Sequence, residues 1–351
     1  MNHWGMRLTR KTRNQRNKRK HFPPLPLIPR LPRELLAAVC CLLAGANLVA
    51  AQRGVRRESY RGWPEAVVVG NAVAEVVIVP AVGRVMQFRF RGEEGPFWEH
   101  PEFVGQSPDP QSETWGNFGG DKAWPAPQAD WPRVTPRAWP PPPAFDAMPV
   151  RAEVKGRTVE LVSPVDPYYG IRTRRRVVLD ATRPVMTITT AYEKVAGDPV
   201  KVAVWVVTQL RDPERIFVPV PAGTRFAGGY GLQSKAPPPD LRLEGGLLSL
   251  GRDGGAAYKI GSDAGTLLWV GARHALRIDS PRAAAGEYPD GGSSAEVYTA
   301  PRPLDYVELE MLGPLKLLRV GDRVEGRSTY TLTRRTEPSA AAEARKILGE
   351  G

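Results

Sequence analysis

The chain has 351 residues, of which 42% are apolar, and this content is enough for a substantial core and excludes a disordered protein. Its 35 glycines and 36 prolines suit many short strands joined by tight turns. The net charge is +12, but ten Lys or Arg residues against one acid give residues 1–34 a charge of +9. The remaining residues, 35–351, have a net charge of only +3 and thus offer no basic surface for a phosphate backbone. We therefore expect no nucleic-acid partner.

An uncharged run, LLAAVCCLLAGANLVAAQ, follows the basic tail from Leu35. Its apolar centre of about a dozen residues and the small residues up to Ala51 are typical of a secretory signal. We therefore expect cleavage near Ala51 and a secreted or periplasmic protein whose mature chain does not contact the membrane. A membrane span needs about 20 apolar residues, which leaves an uncleaved anchor over residues 35–51 as the alternative.

The two cysteines, Cys40 and Cys41, both lie in this run. A cleaved chain would therefore have neither a disulfide nor a thiolate metal ligand. After Ala51 the sequence contains only His100 and His274, which are widely separated. We expect no metal site, and no sequence motif indicates a bound cofactor.

Runs rich in β-forming residues, separated by Gly, Pro and Asp, dominate the chain from Ala66 onward. Several alternate apolar with polar residues, as strands with one solvated face do. The run KVAVWVVTQL, residues 201–210, is apolar on both faces except for Thr208 and Gln209, which predicts a central strand covered on both sides. We predict a tail and signal over residues 1–51, followed by one all-β domain over residues 52–337.

The strand pattern stops between residues 97 and 149, where Trp, Pro, Gly and Gln accumulate. A connection of this length is usually functional or disordered, and its aromatic content argues against disorder. One helical pattern, PSAAAEARKIL, is present at residues 338–348. It predicts a short helix in a C-terminal segment over residues 338–351.

Two stretches resemble the galactose mutarotase-like superfamily, to which the aldose 1-epimerases belong. Residues 67–92, VVVGNAVAEVVIVPAVGRVMQFRFRG, resemble its opening strands, and residues 306–332, YVELEMLGPLKLLRVGDRVEGRSTYTL, resemble its closing strands. Together with NFGGDKAWPAPQ, residues 117–128, the chain is similar to a bacterial branch of unassigned function. The resemblance implies an antiparallel β-supersandwich with a carbohydrate-binding face, and we expect a monomer with a carbohydrate as its partner.

The long loop has side chains suited to a glycan. Indole faces stack on the apolar faces of sugar rings, while short polar side chains bond the hydroxyl groups. The alternative is that the tryptophans pack on the prolines of residues 140–143 and fasten the loop to the sheet. We predict a sugar site flanked by Trp124 and Trp131. The candidate binding residues are Asn117, Asp121, Lys122, Trp124, Gln128, Trp131 and Gln209.

Tyr306, Glu308 and Glu310 share one face of the strand YVELEML, and two glutamates in this pattern are more typical of a solvent face. The resemblance implies that Glu310 matches the glutamate that mutarotases use as general base on the anomeric hydroxyl. Mutarotases use histidines to protonate the ring oxygen, and neither histidine here lies in the expected motif. Asp121 is the candidate for a replacement acid.

Three functional hypotheses follow. The first is an exported carbohydrate-binding protein that could also modify sugars. The second is a sugar mutarotase or epimerase with Glu310 as base and Asp121 as acid. The third is a structural or protein-interaction β-domain of the cell envelope. The missing histidine disfavours the enzyme, and the polar residues among the tryptophans disfavour the structural domain.

Overall fold

The computed structural model describes residues 54–349 of the chain. Their strands form two antiparallel sheets packed face to face, which confirms the predicted antiparallel β-sandwich. The basic tail, the apolar run and the predicted cleavage site near Ala51 lie outside the described residues. Within residues 54–349, no helix is long and apolar enough to cross a membrane.

The larger sheet has eleven strands. They are β1 (Gly54–Tyr60), β2 (Trp63–Gly70), β3 (Ala74–Val79), β4 (Arg84–Phe90), β5 (Asp121–Ala126), β10 (Val200–Arg211), β12 (Gly231–Leu232), β15 (Tyr258–Ser262), β18 (Ala295–Thr299), β19 (Tyr306–Leu312) and β20 (Lys316–Leu318). Their spatial order is β1-β2-β3-β4-β5-β10-β19-β18-β15-β12, and β20 pairs with β10.

The smaller sheet has ten strands. They are β6 (Arg151–Lys155), β7 (Thr158–Val165), β8 (Ile171–Leu179), β9 (Val185–Lys194), β11 (Arg215–Pro219), β13 (Arg242–Glu244), β14 (Leu247–Leu250), β16 (Thr266–Val270), β17 (His274–Asp279) and β21 (Arg323–Arg334). Their spatial order is β13-β14-β11-β16-β17-β21-β9-β8-β7-β6.

A continuous apolar core fills the space between the sheets, and β10 crosses its centre. Successive side chains of a strand point to opposite faces of the sheet. On β10, the Thr208 hydroxyl lies 3.4 Å from the Tyr330 hydroxyl of β21, so Thr208 faces the smaller sheet. Its neighbours Val207 and Gln209 therefore point to the outer face of the larger sheet. Both faces of β10 are buried, as its sequence predicts.

The long loop contributes a strand that its sequence does not predict. Strand β5 pairs with β10 from Asp121 to Ala126, but it pairs with β4 only at Asp121. Pro125 has no N–H to donate, and it is tolerated because no second strand pairs with β5 at that position. The same stretch forms two short helices, α1 (Trp131–Val134) and α2 (Pro143–Asp146).

The C-terminal helix α3 (Ala340–Leu348) confirms the helical pattern in the sequence. The Ser339 hydroxyl accepts a hydrogen bond from the backbone N–H of Ala342 at 3.1 Å, which caps the first turn. Gly349, with φ 76°, ends the helix in the left-handed conformation. The helix packs its small apolar residues on β11 and β16 and thus belongs to the same folded unit.

Candidate functional site

The outer face of the larger sheet, turned away from the smaller sheet, carries a cluster of aromatic and charged side chains. Trp124 of β5 lies opposite Trp205 of β10, and Gln209 of β10 lies opposite Glu308 of β19. Glu310 follows two residues after Glu308 and therefore points the same way. Three adjacent central strands thus project their functional side chains onto one surface.

Most of these side chains line a pocket of about 250 Å³, which we call the outer-face pocket. It combines aromatic walls with a few charged groups, the composition that ligand pockets have. Its lining residues are Trp115, Trp124, Gln128, Trp139, Trp205, Lys259, Tyr298, Tyr306, Glu308 and Glu310.

Glu310 is fully buried at the floor of this pocket. Its Oε2 accepts hydrogen bonds from Trp205 Nε1 at 2.6 Å and from Lys259 Nζ at 3.0 Å. Lys259 Nζ also lies 2.8 Å from a carboxylate oxygen of Glu296 on β18, so two acids share one cation. Burial raises the pKa of Glu310 to about 8, although Lys259 opposes the increase. Among residues 54–349, nothing hydrogen-bonds to Glu310 Oε1.

Glu308 is held by two side chains of the same face. Gln209 Nε2 donates to Glu308 Oε1 at 2.8 Å, and Lys122 Nζ lies 3.9 Å from the same oxygen. Lys122 Nζ also lies 5.0 Å from the ring centre of Trp124. Burial lowers the pKa of Lys122 to about 8, while the carboxylate of Glu308 opposes the decrease. Lys122 Nζ and Gln209 Oε1 are buried and have no hydrogen-bond partner in the described part of the chain.

The carboxylate of Asp146, at the end of α2, holds two of the aromatic wall residues. Its Oδ2 accepts from Trp115 Nε1 and its Oδ1 from Trp124 Nε1, both at 2.9 Å. Arg84 also donates to Oδ1, at 2.8 Å. Trp139, whose surface is 42% exposed, packs edge-on against Trp115 at 5.1 Å between ring centres. Side chains that are already ordered lose less conformational entropy when a ligand binds.

Several residues predicted from the sequence meet at this pocket. Trp124, Gln128 and Glu310 line it. Lys122 and Gln209 lie behind its floor, where both approach Glu308.

Two other predicted residues support the pocket without lining it. Asn117 is buried beside Tyr306, and its contact with that hydroxyl opposes the increase in the pKa of Tyr306 that burial causes. Trp131 is fully buried, and its Nε1 donates to the carbonyl of Pro125 at 2.7 Å. Trp131 contacts the rings of Trp139 and Trp205 and does not line the pocket that it was predicted to flank.

Asp121 lies on the opposite face of β5, inside the sandwich, and does not line the outer-face pocket. Its Oδ2 accepts hydrogen bonds from the hydroxyls of Thr208 and Tyr330, both at 2.6 Å, and its Oδ1 pairs with Arg175 of β8. The reason is the two-residue period of a strand, which turns Asp121 and Lys122 to opposite faces. This position keeps Asp121 from contacting a sugar in the outer-face pocket, either as a ligand or as the acid.

The glycine pair before β5 brings two backbone segments of the protein together. Gly119 and Gly120 have φ values of 87° and 68°. A Cβ atom on Gly119 would lie 2.2 Å from the carbonyl oxygen of Trp98, and one on Gly120 would lie 2.7 Å from that of Val85. These glycines thus allow close chain packing.

The sequence did not identify Lys259, Glu296 and Tyr298 as site residues. They come from β15 and β18, and only the pairing order β15-β18-β19 brings them beside Glu310. Glu308 and Glu310 are both buried, although two glutamates on one face of a strand are more typical of a solvent-exposed face.

Neither histidine among residues 54–349 lines the outer-face pocket. His274 Nε2 lies 2.8 Å from a carboxylate oxygen of Glu93, and His100 Nδ1 accepts from the backbone N–H of Glu102. Both rings are thus engaged elsewhere in the structure. Among the same residues, no group of three His, Cys, Asp or Glu side chains could hold a metal ion.

No protein-family model matches the sequence, and no curated protein matches it. Solved structures do match the fold. A galactose mutarotase-like protein from Lactobacillus casei superposes with a TM-score of 0.50 and 9% identity over 76% of this chain and 100% of its own.

Two further structures superpose at a similar level. The YeaD protein of Salmonella typhimurium gives a TM-score of 0.53 and 9% identity over 83% of this chain and 100% of its own. The Slr1438 protein of Synechocystis gives a TM-score of 0.53 and 12% identity over 80% of this chain and 100% of its own. At such identities the likeness concerns the fold alone, and the chain has the galactose mutarotase-like fold.

Proposed function

We propose that this protein binds a carbohydrate in the outer-face pocket. One observation carries the proposal: Glu310 Oε1 is a buried carboxylate oxygen without a hydrogen-bond partner among residues 54–349, at the floor of a pocket with aromatic walls. A buried acceptor left unsatisfied costs about 1–3 kcal/mol, which a ligand donor would recover. Sugars carry hydroxyl donors beside apolar C–H faces, so they match both the floor and the walls.

The walls and the floor have separate roles in this proposal. Trp115, Trp124 and Trp139 supply the ring faces on which a sugar stacks. Glu308 and Glu310 accept hydrogen bonds from its hydroxyl groups. The protein's export is part of the same proposal, and it rests on the basic tail and short apolar run of the sequence.

A glycan-array screen followed by calorimetry tests the binding role. Replacing Trp139 by Ala should weaken binding several-fold, because a good aromatic contact contributes about 0.5–1.5 kcal/mol beyond area burial. Trp139 is 42% exposed, so its removal should leave the fold intact. The matched control is Tyr168→Ala, which removes an aromatic side chain of 45% exposure outside the pocket. Equal affinity of both variants and the wild type would refute the site.

A sugar mutarotase is the second candidate, and the raised pKa of Glu310 favours it. A general base works best when its pKa lies near the working pH, and that of Glu310 is about 8. Asp121, the acid of the sequence hypothesis, is turned into the core, so this candidate has Glu310 as its base and retains no acid from the sequence hypothesis.

We expect mutarotation of free glucose to be weak or absent. Glu310 Oε2 is engaged by Trp205 and Lys259, and no histidine among the described residues lines the pocket. Polarimetry on freshly dissolved α-glucose measures the rate. A large acceleration that Glu310→Gln abolishes would make the enzyme the better proposal. If no glycan binds and no sugar is converted, a protein-interaction role in the cell envelope becomes the leading hypothesis.

A further inference from the structure

A second pocket, of about 260 Å³, lies beside the outer-face pocket. Both pockets are lined by Trp115. The two pockets also share a boundary in the sequence. Trp139 lines the outer-face pocket, and the next residue, Pro140, lines the second pocket. The two spaces are therefore adjacent, with Trp115 in the wall of each.

The second pocket offers the same kind of chemistry as the first. Two aromatic rings, Phe103 and Phe118, lie 5.1 Å apart between centres in its wall. The lining also includes the polar residues Gln106, Asp109 and Arg137. Aromatic rings with amide, carboxylate and guanidinium groups suit the faces and hydroxyls of a second sugar ring.

Hydrogen bonds within the loop fix the shape of the second pocket. Arg137 donates to the carbonyl of Ser112 at 2.9 Å, which ties its two lining stretches together. Asp146 also lines it, and the same carboxylate orients Trp115 and Trp124 of the outer-face pocket. The two pockets therefore share one anchoring group and would keep a fixed spacing.

We propose that the second pocket is a subsite for a neighbouring sugar unit, so that the ligand is an oligosaccharide of at least two units. This inference rests on the proposed carbohydrate binding in the outer-face pocket. The outer-face pocket has a volume of about 250 Å³, which is below the roughly 300–1,000 Å³ of typical ligand pockets. A single sugar ring therefore nearly fills the outer-face pocket. Further units must then extend past Trp115, where the second pocket accepts them.

Calorimetry of the full-length protein with glucose, maltose, maltotriose, cellobiose and cellotriose tests this subsite. We expect one linkage series to bind at least tenfold more tightly with two units than with one. Arg137→Ala and Gln106→Ala should each weaken the two-unit ligand several-fold and leave glucose affinity unchanged. Arg133→Ala is the matched control, because Arg133 is an exposed arginine of α1 that lines neither pocket.

The outcomes separate this inference from the proposed function. Glucose binding that Trp139→Ala weakens, with no gain from a second unit, would leave the outer-face pocket standing and overturn the subsite. Equal losses of glucose and two-unit affinity in both Arg137→Ala and Gln106→Ala would also overturn it. If none of these sugars binds, and none does in the array, both proposals are wrong.

Discussion

Asp121 and Lys122 are neighbours in the chain but belong to different environments. Asp121 forms an ion pair with Arg175 inside the sandwich. The ammonium group of Lys122 is buried on the other face of β5, behind the pocket floor. The nearest carboxylate oxygen to Lys122, that of Glu308, is 3.9 Å away. Burial of such a weakly paired charge costs free energy of folding, and the pKa of Lys122 records that cost.

Lys122→Met should remove a pH dependence of stability. The pKa of Lys122 is about 8 in the folded protein and 10.5 in the unfolded chain. Below pH 8 both states are protonated, so the burial cost is fully present. Between pH 8 and 10.5 the folded state loses the proton first, so wild-type stability rises relative to the variant, by on the order of 3 kcal/mol in total.

Urea denaturation of both proteins at pH 7, 8, 9 and 10 measures this difference. Methionine is a suitable replacement because it keeps the length and the apolar stem of the lysine. A stability difference that stays constant over this pH range would contradict the depressed pKa. The variant should also bind glycan more weakly if Lys122 positions Glu308 in the pocket.

At the scale of elements, the turn that leads into β5 decides where the pocket forms. Gly119 lies in the left-handed region, against the backbone of Trp98. This contact brings the end of the loop beside the sheet, where β5 adds to β10. Strand β5 then presents Lys122 and Trp124 to the outer face.

Gly119→Ala should destabilise the protein by more than its backbone strain alone. A left-handed conformation costs a non-glycine residue about 1–3 kcal/mol, and here the new Cβ would also lie 2.2 Å from a carbonyl oxygen. The control is Gly156→Ala, since Gly156 has φ +60° but no neighbouring atom within 4 Å of the added Cβ. Chemical denaturation compares the two, and equal losses would mean that the contact with Trp98 contributes nothing.

For the whole molecule, the charge is divided between a basic tail and a nearly neutral body. Because the tail and the apolar run after it have the order of a secretory signal, we expect the mature chain to begin near Gln52, outside the cytoplasm. N-terminal sequencing of the protein from its native host tests this. Recovery of an intact cytoplasmic chain that starts at Met1 would refute export, and an intact chain in the membrane fraction would favour the anchor over residues 35–51.

Local sequence patterns were sufficient to predict several elements of the fold. Alternating apolar residues and frequent turn residues predict antiparallel strands, and the apolar run of β10 predicts a strand buried on both faces. The C-terminal helix follows from its composition and from Ser339 before its first turn. The motif stretches predicted the fold, and they drew attention to Trp124, Gln128 and Glu310, which line the pocket.

Long-range strand pairing brings residues from distant parts of the sequence to one surface. The sequence of β5 contains Pro125 and follows Gly119 and Gly120, so its residue pattern does not predict a strand. Pairing with β10 shows that it is one. Lys259 reaches Glu310 because β15, β18 and β19 are neighbours in space, a relation fixed by long-range pairing. The period of a strand tells which residues share a face, but not whether that face meets water, a ligand or another sheet. Because β5 is not recognisable as a strand in the sequence, the opposite orientations of Asp121 and Lys122 became visible only in the structure.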